Sequence, residues 1–305
     1  MNILPEGKHV IGGGHDGTFR WWKIEEGDEH VSEAELPARS EEEMNAAVVS
    51  KDGKWLVLAG TCGRKVTVWE ASTRERVVES VEAHEEKIVT LDVSSCTSKI
   101  ASGSRDGTVI VWCLKTGRLI AGPLKQGRSV LSVKFFATGD RLASAGPDFS
   151  IHVWSICSDG RLSSICLSTD DPACSLAWSN DGRFLFAGCQ YGGIRCFDVS
   201  SSALTKTNWP VRPHSDSVST LRLSNNGKFV VSASRSECFV KIWDVHTQSE
   251  IYSLVHTSEV LDAKISPDDG YLVSGAKDGK IYIWDLRKVL RLSYFCHVGF
   301  HFCAI

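Results

Sequence analysis

Seven aromatic residues divide the chain into near-equal lengths: Trp22, Trp69, Trp112, Trp154, Phe197, Trp243 and Trp284, at intervals of 47, 43, 42, 43, 46 and 41 residues. Each closes a segment in which a short apolar strand, a turn and a second strand follow one another, so the sequence is a repeat and not a string of unrelated elements. A period of about 40–45 residues is that of one supersecondary module, which cannot bury its apolar face alone and is stable only between neighbours.

The third copy shows why the module is a sheet. From Lys87 to Val93 apolar and polar residues alternate, as in a strand with one buried face. A polar turn over 94–99 leads to a second strand at 100–104, and Asp106-Gly107 tolerates the positive φ of a tight hairpin. The β-branched stretch Val109-Ile110-Val111-Trp112 follows, and Thr116-Gly117 turns the chain again. No segment shows a convincing helical period, so the expected class is all-β.

These residues resemble the WD40 family, whose repeats carry a His before the first strand and a Trp-Asp pair ending the third. Trp243-Asp244 and Trp284-Asp285 reproduce the pair; the other copies vary it. The resemblance spans essentially the whole chain and implies one domain over residues 1–305: a seven-bladed β-propeller of four-stranded antiparallel blades, its ring closed by both termini. The residues up to Trp22 and those after Trp284 together make one repeat. Blade one is therefore expected to be shared between residues 1–24 and 297–305, the tail also completing the outer strand of the last blade. Counted across the junction, His297 precedes Trp22 by 30 residues, against 28 for both His84 to Trp112 and His256 to Trp284.

His84, Ser102 and Asp106 are also the residue types of a serine hydrolase. The same trio returns as His256, Ser274 and Asp278, and an enzyme needs one triad beside one oxyanion hole, whereas a structural device can recur in every blade. In the family these positions form a buried chain of hydrogen bonds from Trp to Ser to His to Asp. The resemblance thus implies Trp112 and Trp284 as donors, Ser102 and Ser274 as relays, and Asp106 and Asp278 as terminal acceptors. Blade four keeps Ser144, Asp148 and Trp154 but has no His at the expected place; blade six keeps His214, Ser232 and Trp243 but loses the Asp. Blades two and five lack the set and are expected to be softer. The stretch Gly12-Gly13-Gly14-His15-Asp16-Gly17 fits a dinucleotide fingerprint, but a strand and not the required helix follows it.

Alternation along the inner strands places Thr90 and Asp92, Ser132 and Lys134, Ser175 and Ala177, Thr220 and Arg222, and Asp262 and Lys264 toward the axis. Such a channel is polar and of mixed sign, without a converging set of acids or a His cage, so no catalytic residue, metal or cofactor is expected and the chain reads as a non-enzyme. Function then falls to the loops. His15, Arg105, Pro147 and Lys277 precede the hairpin turns, Arg235 lies in the irregular sixth blade, and Lys87 and Arg128 begin inner strands on the same side. Together they suggest a rim for an acidic or phosphorylated segment.

The formal charge of −3 gives no general affinity for nucleic acid. Between Glu25 and Glu43 nine acidic residues accompany one basic residue, Arg39, which reads as a solvated connection or as a docking surface for a basic partner. Eleven scattered cysteines without a Cys-x-x-Cys pair argue against zinc and disulfides and for a reducing compartment. With neither a secretory leader nor an 18-residue apolar run, an intracellular protein is expected, cytoplasmic first and nuclear second. The expected role is a scaffold or adaptor, a monomeric propeller within a complex that binds protein or peptide partners and neither a specific nucleic acid nor a membrane. The alternatives are a regulatory sensor module of a larger signalling protein and a propeller enzyme.

Overall fold

The computed structural model describes residues 2–4, 9–13, 18–23, 32–39, 44–60, 64–73, 75–79, 82–156, 162–201, 203–204 and 212–296. The first sheet holds β1 (Asn2–Ile3), β2 (His9–Gly13), β3 (Thr18–Lys23) and β4 (Ser32–Arg39); the second holds β5 (Met44–Val49), β6 (Trp55–Gly60), β7 (Thr67–Glu70) and β8 (Arg76–Glu79). The third is β9 (Ile88–Val93), β10 (Lys99–Ser104), β11 (Thr108–Cys113) and β12 (Leu119–Lys125), and the fourth β13 (Ser132–Phe135), β14 (Arg141–Ala145), β15 (Ser150–Ile156) and β16 (Leu162–Ser168). Then come β17 (Ala173–Trp178), β18 (Phe184–Cys189), β19 (Ile194–Asp198) and β20 (Ala203–Leu204), followed by β21 (Val218–Leu223), β22 (Phe229–Ser234), β23 (Phe239–Asp244) and β24 (Glu250–Val255). The described residues end in β25 (Val260–Ile265), β26 (Tyr271–Ala276), β27 (Ile281–Asp285) and a helix, α1 (Leu286–Cys296).

All pairings are antiparallel between consecutive strands, and the first strand of each sheet packs against the first strand of the next. This is an all-β propeller, but the expectation of seven four-stranded blades closed by both termini is corrected. Among the described residues six blades are four-stranded, not seven, and the last sheet has three strands. All four strands of the first blade come from residues 2–39, while 297–305, including His297, lie outside the described residues.

The missing outer strand has a local cause. Asp285 Oδ1 accepts from the backbone N–H groups of Arg287 at 3.0 Å and Lys288 at 3.4 Å, capping a helix at the point where the other blades turn into a strand. Leu286, Val289 and Leu290 then fall on one helical face and pack with Phe229, Val231 and Leu272. The expectation that no segment is helical is corrected on the same residues. Likewise, the acidic stretch is no mere connection: Ser32–Arg39 within it is the outer strand β4, paired to β3.

Simple alternation also fails at one recurring place. Between Gly103 and Ser104 the partner in β9 jumps from Thr90 to Ile88, a bulge at Val89 that turns Ile88 into the core between blades. The same slip occurs in β5, β17, β21 and β25, and it buries Ala173, Val218 and Val260 completely. In these strands the first residue therefore seals the core, and Leu91, Leu176, Leu221 and Ala263 further along return to it.

Candidate functional site

In blade three Trp112 Nε1 donates to Ser102 Oγ at 2.7 Å, and Ser102 Oγ lies 2.8 Å from His84 Nε2. His84 Nδ1 meets Asp106 Oδ2 at 3.1 Å. The acid also accepts from the backbone N–H groups of Glu85 and Thr108, each at 2.8 Å, so it ties the loop before β9 to the β10–β11 turn. Burial pushes the His84 pKa down, against the opposing charge of Asp106. The neutral ring therefore carries its proton on Nδ1, toward the acid, and accepts the serine hydroxyl at Nε2.

Blade four builds the same circuit without histidine. Trp154 Nε1 donates to Ser144 Oγ at 2.8 Å, Ser144 donates to Gln126 Oε1 at 2.5 Å, and Gln126 Nε2 reaches Asp148 Oδ1 at 3.3 Å and the Ser150 carbonyl at 3.1 Å. A primary amide offers an acceptor oxygen at one side and N–H donors at the other, and so can replace a neutral imidazole between hydroxyl and acid. The signal was available: Gln126 precedes Ser144 by 18 residues, as His84 precedes Ser102.

Blade six lacks the Asp, as its sequence shows, but another acid takes the place. Trp243 and His214 meet Ser232 Oγ at 2.8 and 2.7 Å, and His214 Nδ1 bonds to Glu237. Glu237 also accepts from Ser215 N at 2.7 Å. The extra residue of this turn moves the acid one position along, and the additional methylene of Glu reaches back.

In the last sheet Trp284 and His256 lie 3.1 and 2.6 Å from Ser274 Oγ, but Asp278 is not the acceptor for His256. His256 Nδ1 donates instead to the Leu254 carbonyl at 3.1 Å. Asp278 accepts from Thr257 Oγ1 at 2.7 Å, and the Tyr282 hydroxyl bonds the same threonine at 2.5 Å. Blades two and five differ altogether: Trp69 Nε1 turns to Thr67 on its own strand at 3.1 Å, and Phe197 offers no donor.

These circuits fix the hairpin turns at one end of the ring. Arg105 N donates to the Lys87 carbonyl at 3.1 Å, and Val130 N to the Ser104 carbonyl at 2.9 Å, so turn and inner-strand start share that end. The Arg128 backbone lies against Gly107, at φ 79°, where any added Cβ would stand 3.0 Å from the Arg128 carbonyl oxygen. Gly127 in turn faces Asp148. Arg105, Arg128 and the Pro147–Ser150 turn thus form one neighbourhood. Arg105 and Arg128 are exposed, Lys87 and Pro147 half-buried, and no ion pair joins either arginine to another described residue. Arg235 is exposed in the sixth blade. Lys277, by contrast, is paired with Glu259 Oε2 at 2.8 Å, and His15 lies outside the described residues.

Sequence reasoning missed Phe149. It occupies the turn position taken by glycine in Asp106-Gly107 and Asp278-Gly279, with φ 58°, yet the residue is 47% exposed. A bulky side chain in the left-handed region costs about 1–2 kcal/mol, and this one gains little burial in return. Its carbonyl accepts from Thr169 N at 3.0 Å, and Asp171 beyond holds Tyr191 N at 3.1 Å; Tyr191 is exposed on the next turn.

The family model described as WD domain, G-beta repeat matches residues 75–113, 119–155, 159–198, 206–244 and 248–285. Autophagy-related protein 16 of Arabidopsis thaliana is 23% identical over 287 residues, covering 90% of this chain and 54% of that protein. Pre-mRNA-processing factor 19 homolog 2 of the same plant is 26% identical over 212 residues, 68% of this chain and 40% of that protein. COMPASS component SWD3 of Saccharomyces cerevisiae is 25% identical over 265 residues, 81% and 82% of the two. The chain spans about half the length of the two Arabidopsis relatives.

Proposed function

The chain belongs to the WD-domain, G-beta repeat family, and on that premise we propose that it is a non-catalytic scaffold that recognises protein partners through the end of the ring carrying Arg105, Arg128 and Phe149. Relatives named for autophagy, pre-mRNA processing and COMPASS support an assembly role inside the cell, cytoplasmic or nuclear. The observation that carries the reading is the exposed Phe149 at a backbone position suited to glycine, near Arg105 and Arg128, which form no ion pair with another described residue. Local stability is sacrificed there for a surface group, which is what recognition requires and folding does not. The partner segment is one with an apolar anchor and flanking acidic or phosphorylated residues: the ring offers contact area, and guanidinium groups pair bidentately with carboxylate or phosphate.

The test separates binding from folding. Phe149→Gly relieves the strained turn and should raise the unfolding free energy by about 1 kcal/mol. The same variant should lose partners recovered by quantitative affinity purification, as should Arg105→Glu combined with Arg128→Glu. Lys228→Glu, exposed at the opposite end between β21 and β22, should recover the wild-type set. Undiminished recovery by both rim variants would show that this end is not the interface.

A further inference from the structure

The axial channel carries a charge imbalance that the rim does not use. Asp92 is fully engaged: Oδ1 accepts from Lys134 Nζ at 2.6 Å and Oδ2 from Phe135 N at 2.8 Å. Asp262 Oδ1 accepts from Ala263 N at 2.9 Å, from Thr220 Oγ1 at 3.3 Å and from Arg222 Nη2 at 3.4 Å. Arg222 Nη1 donates to the Leu221 carbonyl at 2.9 Å, but its Nε is buried without a partner. No hydrogen bond or ion pair joins Lys264 Nζ to another described residue, although Lys264 stands two residues from Asp262 on β25. Among the described residues, three cations on three inner strands thus face two carboxylates that already accept hydrogen bonds. Between β13 and β21, the strand β17 offers only Ser175, whose hydroxyl turns to the Val218 carbonyl at 2.7 Å, and Ala177, so the channel is not filled from that side.

We propose that this sector of the channel binds a small oxyanion, best matched by a phosphate group, between Arg222 and Lys264 with Lys134 across from them. A guanidinium edge with a free Nε–H presents the fork that suits phosphate oxygens, and Lys264 supplies a point charge. The anion would also complete the orphaned donor, which otherwise lacks a partner in the interior. Burial and the neighbouring Arg222 bring the Lys264 ammonium down to about 7, Lys134 adding to the effect and Asp262 and Asp92 opposing it. Filling the site favours the charged form of Lys264, so anion binding is linked to proton uptake by that ammonium.

The test titrates inorganic phosphate into the full chain at constant ionic strength. It follows acylation of individual lysines by an amine-directed reagent with mass-spectrometric readout. Phosphate should protect Lys264 and leave Lys228 unprotected, and should raise the thermal midpoint, whereas chloride should do neither. Arg222→Gln should weaken phosphate binding by about tenfold or more, the size of one charge-assisted hydrogen bond. Equal acylation of Lys264 with and without phosphate in the wild-type chain would overturn the proposal, whatever the variant does. So would phosphate affinity unchanged in a folded Arg222→Gln chain.

Discussion

Ser102→Ala removes a single oxygen that serves two buried groups. Trp112 Nε1 and His84 Nε2 lie 2.7 and 2.8 Å from that oxygen, with Trp112 fully buried and His84 nearly so. His84 Nδ1 is already committed to Asp106 and Thr108, so the ring cannot turn to a new partner without abandoning both. Each buried polar group left unpaired costs about 1–3 kcal/mol, so the substitution should cost about 3 kcal/mol. That is a large part of the 5–15 kcal/mol, roughly, that holds a typical domain folded. Urea unfolding followed by far-ultraviolet circular dichroism gives the loss as a lowered midpoint at unchanged slope. In a Trp112→Phe background the indole donor is absent, and Ser102→Ala should cost about 1 kcal/mol less than in the wild type. A loss below about 0.5 kcal/mol, or the same loss in both backgrounds, would refute the account of this circuit.

Three further outcomes follow from the other circuits. Glu237→Asp shortens the acid that reaches back to His214 and Ser215, and should cost about 1–3 kcal/mol in the same urea assay; an unchanged midpoint would mean that the glutamate is not acting as the substitute. Burial lowers the pKa values of His84, His214 and His256, outweighing the neighbouring groups that raise them. The unfolded chain therefore takes up protons first, so stability is complete above the unfolded histidine value of about 6.5 and falls below it. The urea midpoint should drop between pH 7 and 5, and His84→Gln, copying Gln126, should flatten that drop; a midpoint rising toward pH 5 contradicts the sign. Blades two and five should exchange amide hydrogens faster in β6 and β18 than blade three does in β10, since they lack the circuit and β20 is only two residues long. Uniform protection around the ring would count against this.

Much of the propeller was legible because one aromatic position and one serine position set the spacing, and both are fixed by packing between blades. What escaped reading was substitution by chemical function. Gln126 and Glu237 perform the tasks of His and Asp with other side chains, so a search by residue name passes over them while a search by spacing finds the first. Asp278 carried the expected name, but Thr257 and Tyr282 hold it away from the task. The helix α1 was written in Leu286, Val289 and Leu290 behind an Asp285 cap, yet that Asp also belongs to the pair that ends a strand elsewhere. Phe149 was invisible for a different reason: only backbone geometry shows that a phenyl stands where a glycine is favoured.

Recognition by one end of the ring is tested most directly by hydrogen exchange of the chain with and without a co-purified partner. Bound partner should slow exchange in residues 104–107, 127–131 and 146–150, the segments that bring Arg105, Arg128 and Phe149 together. Slowing confined to the opposite-end turns at 95–98, 137–140 and 225–228, with the first three segments unchanged, would contradict it.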